Sequence, residues 1–194
     1  PEFLFPSHTK PLEGDEVMAT LTIYRDAIQY VHDQTIRLMN QGLYPDQIIE
    51  LIELPKEIAD SPFLNEFYGT IRWSVKSIFN GYLGWFNGNI AELDPLSRKD
   101  EALRLSDMVG GVENIYLQLE MAVETNDMQW ALQLSDHLIA LDYKINDVNK
   151  LRSQAADYIG QRSSNPNKRN YLLSSALELQ PGFELENILT SDSL

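Results

Sequence analysis

A stripe of mainly apolar residues recurs along the first part of the chain with the spacing of a helix. Between Asp15 and Gln41 its members are separated alternately by four and three residues, which places them on one face of an α-helix. Gly42 follows at the position of a left-handed C-cap. The pattern therefore predicts a long amphipathic helix. The stripe consists of Val17, Leu21, Tyr24, Ile28, Val31, Thr35 and Leu38.

Two further helices are predicted before residue 87. A short one runs over Pro45–Leu54, with proline in its first turn and Pro55 to end it. After Ser61-Pro62 the chain is expected to re-enter helix, to break at Gly69 and to continue to Phe86.

The end of this third helical stretch differs in composition from the rest of the chain. It holds seven aromatic residues, and its charged residues are the cations Arg72 and Lys76. A helix that is apolar on most sides packs against a larger body or an interface. We therefore expect these aromatic side chains to be covered, and packing is a more frequent role for them than ligand binding. They are Phe67, Tyr68, Trp73, Phe79, Tyr82, Trp85 and Phe86.

The second half of the chain predicts helices of modest length after a turn at 87–89 and an extended Asp94-Pro95 link. Ser97 with Asp100 resembles a capping box at the start of the first of them. That helix is expected to end at Gly110-Gly111. The others are predicted over Val112–Thr125, Met128–Leu141, Asp147–Gln161 and Arg169–Gln180, followed by a tail after Phe183.

The helices over 112–141 have features of one tetratricopeptide-type pair. Small residues such as Ala122 and Ala131 stand where two antiparallel helices would cross, and Asn126-Asp127 makes the turn. About three such pairs are needed for an open array, so the pair is predicted to be one element of a bundle. No segment alternates with period two for long enough to indicate a sheet. The predicted fold class is all-α, a helical bundle with this tetratricopeptide-like pair in its C-terminal half.

Composition and charge exclude several classes of function. The 194 residues are 43% hydrophobic, which is enough for a sizeable core. Fifteen Lys and Arg stand against 29 Asp and Glu, giving a net charge of −14. Such a chain repels a phosphate backbone and anionic lipid, so neither nucleic acid nor a membrane surface is an expected partner. No apolar run reaches the roughly 18 residues that would predict a membrane span.

The chain has no cysteine and begins without methionine. The absence of cysteine excludes disulfides, thiol nucleophiles and cysteine-bound zinc, and it leaves the redox compartment open. Pro1-Glu2-Phe3 is interpreted as a cloning remnant, because Glu-Phe is what an EcoRI site encodes. On that interpretation the natural sequence starts near Leu4.

Three histidines are the candidates for chemistry, since no phosphate loop, HExxH zinc motif or serine elbow is present. His137 is predicted on the inner side of the helix pair, typical of a satisfied core or groove histidine. His32 lies beside Asp33 on the first helix, where a surface or hydrogen-bonded role is expected. His8 lies in a loop ahead of that helix, where either a functional or a structural histidine is common.

Several blocks of the sequence resemble one enzyme family. The stretch from Glu66 to Lys76, followed by Ile78 to Asn89, looks like the segment joining the catalytic and dimerisation domains of the zinc-dependent alkylsulfatases, members of the metallo-β-lactamase superfamily. Further blocks match in the family's order and extend the resemblance over residues 4–183. They are Ser7–Pro11, Tyr24–Ile28 with His32–Gln34, Met108–Gly111, Trp130-Ala131 and Arg169–Leu172.

The resemblance implies two domains and a tail. Residues 1–89 would be the C-terminal remnant of the metallo-β-lactamase-type catalytic domain, residues 90–183 the helical alkylsulfatase dimerisation domain, and residues 184–194 a tail. The family's His-x-His-x-Asp-His zinc motif is not in this sequence. Zinc is therefore expected as a cofactor of the complete enzyme, and none is expected on this chain alone, which would not be catalytic by itself.

The resemblance also implies individual roles. His8 would be one zinc ligand in the complete enzyme. From their chemistry, Arg72 and Lys76 with Tyr68 and Tyr82 are placed near the mouth of the active site, because a cation and phenols suit a sulfate group. Packing is at least as good an interpretation of each. The expected partners are a second copy of the chain, in a homodimer, and the upstream catalytic domain. The residues of the dimer interface remain open.

Two hypotheses from different classes follow. In the first, the chain is the C-terminal segment of an alkyl sulfate ester hydrolase and serves homodimerisation and closure over the zinc catalytic domain. In the second, it is a stand-alone helical protein-interaction module derived from that family. The substrate chain length, the metal and the compartment remain open, with a periplasmic or secreted parent as one alternative.

Overall fold

A computed structural model describes residues 1–8 and 10–184 of the chain. The fold divides after Asp94 into two compact units, which are described separately as unit 1 (residues 1–94) and unit 2 (from Pro95 onward). The predicted boundary at residue 89 remains a prediction. Apart from Glu184, the predicted tail lies outside the described residues, as does Thr9. No helix within the described part of the chain has the length and apolar character that crossing a membrane requires.

Unit 1 begins with a small hairpin and continues as helices. Strands β1 (Phe3–Leu4) and β2 (Leu12–Glu13) pair antiparallel, with Phe3 opposite Glu13 and Leu4 opposite Leu12. Sequence analysis indicated no sheet, because two-residue strands are too short to show an alternating pattern. The helices are α1 (Asp15–Met39), α2 (Pro45–Leu51), α3 (Lys56–Ala59) and α4 (Ile71–Leu83), followed by a 3₁₀ turn over Ile90–Glu92.

The core of unit 1 lies where α1 packs against α4 and α2. Thr35 is fully buried on α1, and its hydroxyl donates to the Val31 carbonyl at 2.6 Å, so it adds no unsatisfied polar group. Burial of this apolar surface is the main favourable term in holding the three helices together. The buried residues of the cluster are Val31, Leu38, Ile48, Ile52, Val75 and Phe79.

The prediction of a helix from Ser61-Pro62 onward is wrong for residues 61–70. Residues 61–70 contain no helix, and α4 starts only at Ile71. The start is set by two side chains: the Thr70 hydroxyl accepts from the Trp73 amide at 3.0 Å, and a Glu66 carboxylate oxygen accepts from the Ile71 amide at 2.7 Å. Such caps satisfy amides that a helix N-terminus leaves unpaired. The short helix α2 likewise ends at Leu51, three residues before the predicted end.

Over its described residues, 95–184, unit 2 is a succession of five helices, α5 to α9. Helices α6, α7, α8 and α9 pack each on the next in sequence, and α5 lies against α6 and α7. Their bounds are Arg98–Met108, Val112–Glu124, Met128–Ala140, Ile145–Arg162 and Pro166–Glu178. The core between them contains Ile115, Tyr116, Leu119, Ala122, Met128, Ala131, Leu134, Leu138, Val148 and Ala155.

Helices α8 and α9 approach each other closely at Gly160. A Cβ atom placed on this buried glycine would lie 2.8 Å from Cδ2 and 2.9 Å from Cγ of Leu173. The same two helices are also joined by a hydrogen bond from the Ser153 hydroxyl to the Ala176 carbonyl, 2.8 Å long. The absence of a side chain at residue 160 therefore allows the two helices to come together.

A partly buried arginine ties α8 to α7. Nη1 of Arg152 donates to the Leu132 carbonyl at 3.1 Å, to the Ser135 hydroxyl at 2.6 Å and to Asp136 at 2.5 Å. The ion pair with Asp136 offsets the charge of the partly buried Arg152 guanidinium.

The predicted fold class is confirmed: the chain is a helical bundle, with the two-residue strands as its only described sheet. Ser97 caps α5 as predicted, its hydroxyl accepting from the Asp100 amide at 3.1 Å. Helix α9 begins at Pro166, three residues before its predicted start, because Asn165 accepts from the Lys168 amide and acts as its cap. The tetratricopeptide-like character of the helix pair remains a prediction.

Candidate functional site

His8 lies in the loop of the β1–β2 hairpin, in unit 1. Its side chain is exposed, and its ring lies 5.3 Å from the ring of Tyr68, centroid to centroid, with a tilt of 36°. Tyr68 belongs to the irregular segment before α4. The fold thus brings together two of the predicted site residues that are sixty positions apart in sequence.

Tyr82, near the end of α4, is in contact with α1 through His32. The Tyr82 hydroxyl is 3.0 Å from Nε2 of His32, and Nδ1 of His32 is 2.9 Å from a carboxylate oxygen of Asp33. The hydrogen bond from His32 lowers the pKa of Asp33 below its ordinary value of 3.8, while partial burial acts in the opposite direction. Asp33, His32 and Tyr82 form a continuous hydrogen-bonded chain, called here the Asp33–His32–Tyr82 triad.

Arg72 and Lys76 lie one turn apart on α4 and face α2. Arg72 forms an ion pair with Glu50 at 3.3 Å, and Lys76 forms one with Asp46 at 3.6 Å. All four side chains are mostly exposed to solvent. Exposed pairs of this kind contribute little to stability, so both cations can be redirected toward another anion at small cost.

Each of the three predicted sulfate contacts has a different neighbour in the structure. Tyr68 is beside His8, Tyr82 is beside His32, and Arg72 is beside Glu50. Ten residues of α4 separate Arg72 from Tyr82, a rise of about 15 Å along the helix axis. The two backbone positions are therefore well separated along α4, and a shared sulfate contact of Arg72 and Tyr82 remains a prediction.

The part of the chain that the structure describes does not place a complete metal site around His8. Among the described residues there is no group of three or more His, Asp and Glu side chains placed to hold a metal ion. Zinc in proteins has three or four protein ligands, so His8 by itself can supply only one of them. The role of His8 as a zinc ligand remains a prediction.

Most of the aromatic stretch is exposed within this chain, so its packing against a larger body or an interface remains a prediction. Phe79 is buried and Phe86 is half-buried, but the other five rings are exposed. Trp85 is 73% exposed and Tyr82 is 61% exposed. On α4, Val75 and Phe79 are buried in the core of unit 1, and Ile71 and Ile78 pack against it. The exposed rings lie outside that core.

Unit 2 contains two further groups of polar side chains. His137 is half-buried and lines an open groove on α5 and α7 with Arg98, Glu101, Trp130, Gln133 and Asp136. Glu113 accepts hydrogen bonds from Tyr143 and Lys144, and these lower its pKa. The Lys144 ammonium lies 4.3 Å from the centre of the Tyr116 ring, so this second group ties the start of α8 to α6.

Sequence reasoning missed the role of His32 as the partner of Tyr82. The neighbouring Asp33 was a visible signal, because an imidazole beside a carboxylate is oriented by it. The contact with Tyr82 was not visible, since fifty residues separate the two and only the packing of α4 on α1 brings them together.

Comparison with known proteins gives a consistent assignment. Residues 44–182 match the model of the family described as alkyl sulfatase dimerisation. The chain is 39% identical over 185 residues to a linear primary-alkylsulfatase of a Pseudomonas strain, and 30% identical over 183 residues to an (R)-specific secondary-alkylsulfatase of Pseudomonas sp.. These alignments cover 94% and 93% of this chain, but only 35% and 28% of the relatives.

A solved structure agrees with the sequence comparisons. The stereoselective inverting sec-alkylsulfatase Pisa1 from Pseudomonas sp. superposes with a TM-score of 0.84 at 29% identity, over 95% of this chain and 29% of that one. The chain therefore spans about a third of the length of the relatives that it matches.

Proposed function

The chain belongs to the alkylsulfatase dimerisation family, and from this membership we propose that it forms a homodimer and closes over the zinc catalytic domain of an alkyl sulfate ester hydrolase. The observation that carries the proposal is the family match over residues 44–182, which includes most of both units. On this proposal the chain forms the homodimer contact and contributes one edge of an active site, and it does not hydrolyse sulfate esters alone.

The exposed apolar surface supports an assembly role. Large apolar side chains are exposed on both units, among them Ile90 at 86% and Met108 at 84%. Trp85 in unit 1 and Tyr171 in unit 2, at 73% and 78%, add aromatic surface. Exposed aromatic and methionine side chains are enriched in protein interfaces, and a second copy or a catalytic domain would remove them from water.

The position of His8 supports a contribution to a metal site in the complete enzyme. It is exposed on a loop and rests against the Tyr68 ring, so an imidazole nitrogen can face an adjoining domain. When bound, zinc would supply a hydroxide near neutral pH and polarise the ester oxygen. The chain's own part is to present one imidazole, with Tyr68 restricting the orientation of its ring.

The sulfate contacts are proposed at Tyr68 and Tyr82 in preference to Arg72. Both phenols are exposed and can donate to a sulfate oxygen. Arg72 is already paired with Glu50 and is about 15 Å along α4 from Tyr82.

Light scattering on a size-exclusion column, over a range of concentration, tests the assembly proposal. We expect a species of twice 22.2 kDa. Met108→Asp in unit 2 and Ile90→Asp in unit 1 then locate the interface, since both side chains are exposed and neither supports the core. Met108→Leu and Ile90→Val are the matched controls, because they keep an apolar surface. A monomer of 22.2 kDa at every concentration would contradict the homodimer.

A second measurement tests the statement on catalysis. The chain is incubated with zinc and a linear alkyl sulfate, and release of inorganic sulfate is followed. We expect no turnover, because one imidazole cannot hold a catalytic zinc ion. Zinc-dependent release that disappears in His8→Gln would show that the chain builds a complete site and that this part of the proposal is wrong.

A further inference from the structure

The Asp33–His32–Tyr82 triad has a property that follows from counting its hydrogen atoms. Asp33 is a carboxylate near neutral pH, because the hydrogen bond from His32 lowers its pKa. A carboxylate only accepts hydrogen bonds. The 2.9 Å contact with Asp33 therefore requires that Nδ1 of His32 carries a hydrogen, and this assigns the tautomer of the neutral ring.

The protonation state of His32 then decides the direction of the bond to Tyr82. In neutral His32, Nε2 has no hydrogen and must accept, so Tyr82 donates its only hydrogen across the 3.0 Å contact. In protonated His32, Nε2 donates and the Tyr82 oxygen accepts. The hydroxyl hydrogen of Tyr82 is then released and can point to solvent, where the side chain is 61% exposed.

We propose that the triad is a proton-controlled contact for a tetrahedral oxyanion, in which Tyr82 donates a hydrogen bond to a sulfate group only when His32 is protonated. His32 is a positioning residue, since it acts through Tyr82, and Asp33 fixes its ring. The inference rests on the proposed function in one respect, because it takes Tyr82 as a contact of the sulfate group.

Charged side chains lie on α1 and on the elements that pack against it around the triad. Among the described residues, the ion pair formed by His32 is with Asp33. Gln29, one turn earlier on α1, donates to the other Asp33 oxygen at 3.4 Å. Charged side chains of the elements packed on α1 are Glu13 on β2, Asp46 and Glu50 on α2, Lys56 and Glu57 on α3, and Arg72 and Lys76 on α4.

Most of these charges are occupied elsewhere. The two cations of α4 pair with the two carboxylates of α2. On α1 itself, Arg25 pairs with Asp26 at 2.5 Å. Gain of a proton by His32 alters the hydrogen-bond donors available at Tyr82, because Nε2 then donates across the 3.0 Å contact.

The first test is the tautomer of His32 in the complete 194-residue chain. Nitrogen NMR shifts of the imidazole distinguish a ring protonated at Nδ1 from one protonated at Nε2. At about pH 8 we expect the Nδ1–H form, because the Asp33 carboxylate accepts from Nδ1. The Nε2–H form would overturn the proposal, because Tyr82 could then keep its hydrogen free without protonation of His32.

The second test is binding of inorganic sulfate at Tyr82, followed by NMR at constant ionic strength with chloride as the reference salt. We expect binding to be about tenfold weaker at about pH 8 than at about pH 5, since a hydrogen bond to a charged group is worth roughly one factor of ten. A short alkyl sulfate tested in parallel shows whether the free anion or the ester is preferred.

Three variants separate the triad from general electrostatics. In His32→Gln the pH dependence should disappear, because glutamine cannot gain a proton, and in Tyr82→Phe the sulfate-specific shifts should disappear at both pH values. His137→Gln in unit 2 removes an equal charge and should leave the dependence unchanged. Circular dichroism of each variant checks that it is folded.

The outcomes distinguish this inference from the assembly proposal. Equal sulfate binding at both pH values, no sulfate-specific shift at Tyr82, or pH dependence that persists in His32→Gln would each overturn the triad. A chain that dimerises but fails these tests leaves the assembly proposal intact. A monomer that passes them contradicts the assembly proposal and supports the triad.

Discussion

The close approach of α8 and α9 at Gly160 allows a quantitative prediction for Gly160→Ala. In an open helix, alanine in place of glycine stabilises by about 1 kcal/mol, because glycine has more backbone freedom to lose on folding. Here the added methyl group would lie 2.8 Å from Cδ2 of Leu173, closer than side-chain carbons normally come. Overpacking of this kind costs about 1–3 kcal/mol. We expect a net loss of about 1 kcal/mol.

Combining Gly160→Ala with Leu173→Ala tests whether contact with the Leu173 side chain causes the loss of stability. Leu173→Ala alone should cost about 1–2 kcal/mol, since its side chain is half-buried. In that background both clashing atoms are gone, and the next atom is the Arg169 carbonyl oxygen at 3.4 Å. Gly160→Ala should then stabilise by about 0.5–1 kcal/mol. The sign of the effect reverses between the two backgrounds.

The assay is urea unfolding followed by far-ultraviolet circular dichroism, with Gly81→Ala as the control. Gly81 lies in α4 with no atom within 4 Å of an added Cβ, so its substitution should stabilise unit 1 by about 0.5–1 kcal/mol. If Gly160→Ala raised the unfolding midpoint of the otherwise unchanged chain as Gly81→Ala does, the inferred close contact between α8 and α9 would be refuted.

Three further predictions concern single side chains. Arg152→Met removes the hydrogen bonds to three acceptors on α7 and should cost about 1.5–3 kcal/mol in urea unfolding; a loss under about 0.5 kcal/mol would contradict it. The hydrogen bond from Tyr143 lowers the pKa of Glu113, so the stability that Glu113 contributes is complete above the ordinary glutamate pKa of 4.5 and is lost as the pH falls below it. In acid titrations of stability, Glu113→Gln should flatten this loss. An unchanged profile would argue against the prediction. Thr70→Ala removes the cap of α4 and should cost about 1 kcal/mol in thermal unfolding, whereas Thr70→Ser should keep most of it.

Helix α1 shows how far periodicity determines a fold. Its extent was predicted to within two residues, since the apolar spacing and the glycine after it are local signals. Its buried face was predicted only in part: Leu21 and Ile28 of the stripe are exposed, and Thr20 and Ala27 are buried instead. Which side is covered depends on where α4 and the hairpin pack, and that information lies outside the helix.

The segment before α4 shows the limit of composition as a signal. Aromatic residues from Phe67 onward suggested helix, but a glutamate and a threonine side chain hold the backbone at the start of α4 and end the irregular segment there. These caps were readable in principle, because Thr70 stands three residues before the amide that it binds.

The sequence identifies candidate site residues, which remain predictions, but it does not show how they are arranged. His8, Tyr68 and Tyr82 were identified through the family resemblance, and the structure pairs the first with the second and the third with His32. No local pattern encodes these contacts, since they join residues fifty to sixty positions apart. The separation of Arg72 from Tyr82, by contrast, follows from helix geometry once α4 is known.

The exposure of the tryptophan rings determines what their fluorescence reports about this chain. All three of its tryptophans are substantially open to water, with Trp73 at 40%, Trp85 at 73% and Trp130 at 44%. Their fluorescence emission should therefore shift only modestly when the chain unfolds. Docking of another protein surface over them would exclude water and move the emission to shorter wavelength. Intrinsic fluorescence is thus a poor probe of folding here and a direct, label-free probe of association.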